Sequence, residues 1–428
     1  MKQFFHLVFC VALGATSITT AQDYPNVLLG ESSFMRRGLC EPSISINRLH
    51  PDTLVAGAIL DRVFYSFDGG KSWQGDTLRS SYGVWGDPVV ISDYQGRHYY
   101  FHLSDPTGEN WESDEILDRI VCQRSDDGGK TWNDGSYMGL NPPRDQDKQW
   151  AAVDPKSGRI YCSWTQFDKY GSPDPADHSN ILMAYSDDQA ETWSEAMRIN
   201  KLPGNCLDSD STTEGAVPAV GPDGEMYVAW AFDEKIYFDR IEPDGSSLKN
   251  DIVVAEQPGG WDIEIEGLMR ANGMPVTVCD LSDGPHRGTV YVNWVDNRRG
   301  HYDVWLAKST DKGETWSKPV RINDDRSKRD QFFSWLACDP ATGYLYAVFY
   351  DRRDTKGTAT EVFLAWSEDG GESWENQKIS ESPFYCNPLI FFGDYNDIDA
   401  YQGRVRPVWT RLDEDGTMSI WTALIDFN

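Results

Sequence analysis

The chain has 428 residues, with 68 acidic against 39 basic side chains and a formal net charge of −29. That balance excludes nucleic acid and anionic membranes as general partners, and no stretch reaches the ~18 consecutive apolar residues that a spanning helix needs. Seventeen Trp, 20 Tyr and 18 Phe are many for so polar a chain; they suit a β core and also suit stacking on sugar rings.

Residues 1–22 read as a secretory signal peptide, with Lys2 as the positive start, an apolar run over 4–15, and the small residues Thr19, Thr20 and Ala21 before the cleavage point. The expectation is a secreted or periplasmic protein whose residues 23–428 form one domain. Beyond Cys10 seven cysteines remain, an odd number that leaves at least one unpaired within the chain. Cys122, Cys162, Cys279 and Cys338 sit in apolar strand-like runs and read as buried thiols. There is no CxxC pair, so no zinc site is expected.

One phrase then recurs five times, at 66–73, 125–132, 186–193, 309–316 and 367–374, as Ser-x-Asp-x-Gly-x-Thr/Ser-Trp with Ala190 alone replacing the glycine. Asp and Ser side chains can bond nearby backbone N–H groups, glycine permits φ > 0, and the Trp packs back over the turn, so the phrase predicts a tight hairpin. The copies start 59, 61, 123 and 58 residues apart. The third interval is close to two of the others, which places a repeat without a box around the turn at Pro243, Asp244 and Gly245.

A second pattern, an apolar strand, a short Asp/Gly turn and a Tyr- or Trp-rich strand, appears at 42–58, 88–102, 150–164, 216–230, 275–294, 335–350 and 395–409. Each unit continues into a third strand, the box, and a short fourth strand. Regular short strands without helical periodicity predict an all-β propeller of four-stranded blades. Seven blades are expected, with six as the alternative. The last unit lacks a fourth strand, and the segment around Asn26 and Leu29 is expected to supply it and close the ring.

The boxed phrase resembles the Asp-box (BNR) repeat of the sialidase superfamily, whose catalytic domains are six-bladed propellers. The face opposite the boxes is the expected binding face, since length and unusual chemistry collect there. Its loops carry Arg62, Arg298, Arg352 and Arg411, candidates for clamping a carboxylate by paired N–H donors. Asp87, Asp147, Glu214, Asp330 and Asp394 precede inner strands and are expected to ring the axial opening. They suit glycoside hydrolysis, which needs positioned carboxyls, or the holding of a cation. The resemblance adds roles. The phrase at Glu214-Gly215-Ala216 is similar to that of the family's tyrosine-activating glutamate, and Gly393-Asp394-Tyr395 to that of its nucleophile. Trp85-Gly86-Asp87 lies where the family has an acid/base aspartate. It implies Tyr395 as nucleophile, Glu214 as its base and Asp87 as proton donor. The family's Arg-Ile-Pro phrase at the first strand is replaced here by Leu39-Cys40-Glu41-Pro42.

His98 and His102 fall on one face of a strand, and His301 lies in an arginine loop; with Tyr and Arg they suit a lyase that removes the proton α to a uronate carboxylate. The leading expectation is a sialidase-like exo-glycosidase, probing a terminal anionic sugar such as a sialic or uronic acid. The alternatives are a glycan- or protein-binding propeller and a uronate polysaccharide lyase. A carbohydrate partner, a monomer, no required cofactor and no catalytic metal are expected, with a structural calcium compatible with the ring of acids.

Overall fold

The computed structural model describes residues 24–33 and 38–427; the signal peptide read from residues 1–22 lies outside them. The structure is a ring of seven antiparallel sheets, each built on four strands. In blade 1 these are Ser43–Ile46, Leu54–Ala58, Arg62–Ser66 and Gln74–Thr77, taken from the axis outward. Blades 2 to 6 follow in chain order, with inner strands Val89–Ser92, Asp145–Val153, Pro218–Val220, Val276–Cys279 and Gln331–Cys338. Blade 7 takes Asp397–Tyr401, Arg404–Leu412 and Thr417–Ala423 from the C-terminus. Its outer strand is Asn26–Ser33, paired antiparallel with Thr417–Ala423. The ring is therefore closed by the N-terminal strand, as the missing fourth strand of the last repeat required, and no blade is left with an open side in the ring.

All five boxes connect third to fourth strands and share one hydrogen-bond pattern. In the second, Asp127 accepts from the Ser125 hydroxyl at 2.9 Å, the Thr131 amide at 2.9 Å and the Thr131 hydroxyl at 2.7 Å, while the Gly129 amide bonds Ser125 Oγ at 2.9 Å. Two consecutive left-handed residues make the turn, and in the third box these are Gln189 (φ 65°) and Ala190 (φ 63°). There the Trp193 indole donates to Ser136 Oγ at 2.9 Å instead of to the turn's own carbonyl. Because Asp127 anchors three donors, Asp127→Ala is expected to lower stability by ~1–2 kcal/mol; a denaturation midpoint indistinguishable from the parent would show that the box is held by its Trp and backbone alone. Blade 4, which has no box, makes its third-to-fourth turn through Gly245 (φ 86°).

The second strands carry the buried Trp164, Trp230, Trp294 and Trp409. The seven cysteines of the described chain are free thiols, six of them buried. Of the elements with no counterpart in the repeat, one bears on the site. A short hairpin, Asp262–Ile263 paired with Ala271–Asn272, is inserted between blades 4 and 5 on the face opposite the boxes.

Candidate active site

The connections that lead from an outer strand to the next inner strand converge on the axis. In six of the seven blades the entrance residue is left-handed: Glu41 (φ 52°), Asp87 (48°), Lys148 (52°), Gly215 (77°), Phe333 (48°) and Gly393 (92°). Each non-glycine case costs about 1–2 kcal/mol, and strain of this kind collects at functional sites. At Lys148 and Phe333 it coincides with a register shift in the inner strand, which turns the side chains out of the regular alternation. Three of the four non-glycine entrances are charged.

They meet as one network. Lys148 Nζ bonds Asp394 Oδ2 at 2.9 Å and Asp87 Oδ2 at 3.2 Å. Arg270, on the inserted hairpin, donates Nε to Asp394 Oδ1 at 2.8 Å and pairs its terminal nitrogen with the other oxygen. Its remaining nitrogen stands 3.5 Å from Asp208, whose Oδ2 also accepts from the Tyr170 hydroxyl at 2.7 Å. Glu41 accepts from the Asp394 amide at 3.1 Å. Glu214 is fully buried, and neither of its carboxyl oxygens has a hydrogen-bond partner.

Environment drives these carboxyls apart. Burial would raise Asp394, but Lys148 and Arg270 overcome it and hold that group well below the usual carboxylate range. Burial, with Asp87 next to it, lifts Glu41 well above the ordinary value. Burial, then Asp208 and Asp147, does the same to Glu214. Burial pushes Asp147 up to about 7 against the pull of Lys148. The mouth thus sets a carboxyl held low beside carboxyls pushed up, the division of labour that acid–base chemistry uses.

Beneath the network lies an aromatic floor. The rings of Trp150, Trp335 and Tyr395 stand 5.8, 6.0 and 6.1 Å apart by centroid. Trp150 and Trp335 line both a 230 Å³ axial channel and a 20 Å³ cavity under Asp394 and Lys148, so the floor divides the channel from the mouth. The Tyr395 hydroxyl is directed at the Pro88 carbonyl, 3.3 Å away, and the residue is only 7% exposed. Burial raises its pKa, and Asp87 is the charged group that acts on it most, followed by Glu41. At the rim Trp111, 61% exposed, tilts over Tyr170 at 5.9 Å and meets Trp85 edge-on at 6.4 Å.

Of the residues singled out in the sequence, Asp87, Tyr395, Asp147, Asp394 and Glu214 come to this mouth. Within it Tyr395 belongs to the Asp87 and Glu41 side, and Glu214 to the Asp147 and Asp208 side. The four clamp candidates are tied elsewhere. Arg62 bonds Thr77 at 3.1 Å and lies near Asp61; Arg298 bonds Asp296 and the Glu256 carbonyl; Arg411 bonds Asp413 at 2.8 Å and Ser382 at 2.7 Å. Arg352 is buried against the Phe332 ring. Asp330 receives the Tyr302 amide instead of facing the network. Sequence reasoning passed over Lys148 and Glu41, which no motif marks, and did not single out Arg270. His98 and His102 are fully buried, and burial lowers them to about 3 and about 4; a lyase reading would rest on Tyr and Arg without them. Among the described residues, no three His, Cys, Asp or Glu are placed to share a metal ion.

A family model described as the BNR/Asp-box repeat matches residues 64–74, the first box. This is a BNR-repeat protein with a sialidase-like propeller fold. Among solved structures, the BNR-repeat propeller is similar to an ulvan lyase, with a TM-score of 0.53 and 12% identity over 94% of this chain and 96% of the other. It is also similar to the NanB sialidase of Streptococcus pneumoniae, with a TM-score of 0.51 and 10% identity over 87% and 83%. At these identities the likeness is one of fold, and fold alone does not fix chemistry.

Proposed function

We propose that this is an exported carbohydrate-active enzyme, a glycoside hydrolase working at the axial mouth opposite the boxes. The observation that carries the reading is the gathering, on one strained network, of several carboxyls with Lys148 and Arg270 above a tyrosine and beside an exposed aromatic wall. Asp87 is the proton donor and acceptor, being the charged group that acts most on Tyr395, with a side chain 14% exposed. Tyr395 is the nucleophile carried over from the resemblance; its hydroxyl leaves the Pro88 carbonyl to react, and its base comes from the Asp87 and Glu41 side. Glu214 then serves the opposite wall.

The buried Tyr395 hydroxyl specifically favours a second reading, a glycan-binding propeller without turnover. A panel of fluorogenic glycosides covering sialosides, uronides, neutral hexosides and hexosaminides separates the two. Turnover of at least one, lowered about 100-fold or more in Tyr395→Phe, is the expected result. Turnover that survives in Tyr395→Phe removes the nucleophile but keeps the hydrolase; saturable glycan binding with no turnover anywhere replaces the hydrolase with the binding module.

A further inference from the structure

Beside the carboxyl network the mouth has a second recess, and this one is apolar. It encloses 340 Å³ and is lined by Cys40, Ile59, Leu60, Trp85, Phe391 and Met418, with Leu389 at its lip. That volume lies in the range of about 300–1,000 Å³ found for small-molecule sites. Among the described residues no charged side chain lines it, although the chain carries a formal net charge of −29. Leu389 is 84% exposed, so the recess opens to solvent and is not part of the sealed core. An exposed apolar surface of this kind on a polar chain marks a binding site.

Three contacts fix the recess to the mouth. The Ile59 amide donates to the Cys40 carbonyl at 3.0 Å, and Cys40 immediately precedes Glu41. Ile59 Cγ2 and Leu60 Cδ2 each lie 3.4 Å from where a Cβ on Gly86 would stand, and Gly86 immediately precedes Asp87. The Arg270 guanidinium that binds Asp394 lies over the Phe391 ring, 5.1 Å from its centroid. Trp85 meets the exposed Trp111 edge-on at 6.4 Å and carries the apolar surface to the rim.

The recess therefore flanks the Asp87 and Glu41 side of the mouth. A glycosidase's proton donor stands at the glycosidic oxygen, so the group that departs past Asp87 is the aglycone. A sugar ring seated in the recess would bury hydroxyls among side chains that cannot bond them, which is costly. Only the Cys40 thiol among the lining side chains is polar, and a thiol is a weak donor. An alkyl or aryl group loses nothing there and gains from leaving water.

We propose that this recess binds the aglycone of the substrate, and that the aglycone is apolar, an alkyl or aryl group on the sugar held at the acids. This rests on the hydrolase reading above and adds to it the class of leaving group. The recess positions the aglycone and exchanges no proton or bond with it.

The test uses N-phenyl-1-naphthylamine, an uncharged apolar dye that fluoresces out of water, titrated into the purified full chain and displaced with hexyl glucoside or methyl glucoside. Hexyl glucoside is expected to displace the dye at a concentration about tenfold or more below that of methyl glucoside, since each buried methylene is worth about fourfold. Leu60→Asp, which sets a charge in the wall, should bring that ratio close to one. Leu389→Asp, on the exposed lip, is the second variant should the first fail to fold. Absence of dye binding, equal displacement by the two glucosides, or a ratio untouched by both variants would overturn the proposal. Dye binding that falls as the protein is concentrated would also overturn it, giving the recess to a second copy of the chain. Hexyl and methyl glycosides of whichever sugar the reporter panel turns over keep the two readings apart. Turnover without a hexyl preference overturns the aglycone site and leaves the hydrolase, while hexyl-selective displacement without turnover supports the recess and sinks the hydrolase.

Discussion

Replacing Lys148 by methionine is expected to lower folding stability by about 3–5 kcal/mol at neutral pH, the cost of removing one partner from a buried ion pair. Lys148 is 6% exposed and is shared by Asp394 at 2.9 Å and Asp87 at 3.2 Å. Methionine keeps the volume of the stem, so the loss reports charge and not a cavity. The pH dependence gives the effect its signature. Asp394 is held below its ordinary value in the folded protein, so its contribution is present above the unfolded value of ~3.8 and disappears as pH falls through the folded one. Lys148→Met takes much of that contribution away. The gap between parent and variant should therefore be widest near pH 7 and shrink on acidification below about pH 4. Adding Asp394→Asn to the variant should recover part of the loss. Urea denaturation at the two pH values reads all three results, and a gap that does not change with pH would mean that Lys148 acts through packing alone.

Asp87→Asn carries the largest expected effect on catalysis, a fall of about 10²–10⁴ in turnover, the usual worth of a positioned acid or base. Asparagine keeps the shape and an oxygen for Lys148 but can neither give nor take the proton at the glycosidic oxygen. Lys148 retains Asp394, so the fold should survive with a smaller stability loss than in Lys148→Met. The loss should fall on kcat, with KM close to the parent value, because the group acts in the transition state more than in binding. A variant with more than about a tenth of parental turnover would remove Asp87 from the chemistry. A variant that loses kcat and KM together would make it a binding residue.

How much of this was legible before folding depends on how far apart the partners lie in the chain. The boxes were readable because their bonds run between residues two and four apart, as from Ser125 to Asp127 and from Thr131 to Asp127. Local composition therefore decides them. The blade count followed from repetition of that unit, and closure by Asn26–Ser33 followed from the one unit short of a strand. Four of the five acids expected ahead of inner strands, Asp87, Asp147, Glu214 and Asp394, do reach the mouth, whereas Asp330 does not and Glu41 and Asp208 were not foreseen.

The direction of each arginine was not readable, since a guanidinium takes whichever carboxylate or carbonyl its loop presents. Arg298 found Asp296 two residues away, whereas Arg270 found Asp394 across 124 residues. Lys148 and Glu41 had no motif to mark them. They reach the axis through left-handed backbone that blade packing imposes and that no local propensity for Lys or Glu would favour. By itself, then, the sequence determined the repeating hairpins, the seven four-stranded blades and the ring they close, because each is set by contacts within a unit or by the count of units. Only the tertiary structure decided which charges meet at the mouth, since that network joins residues from six different inter-blade connections and exists only once the ring has closed.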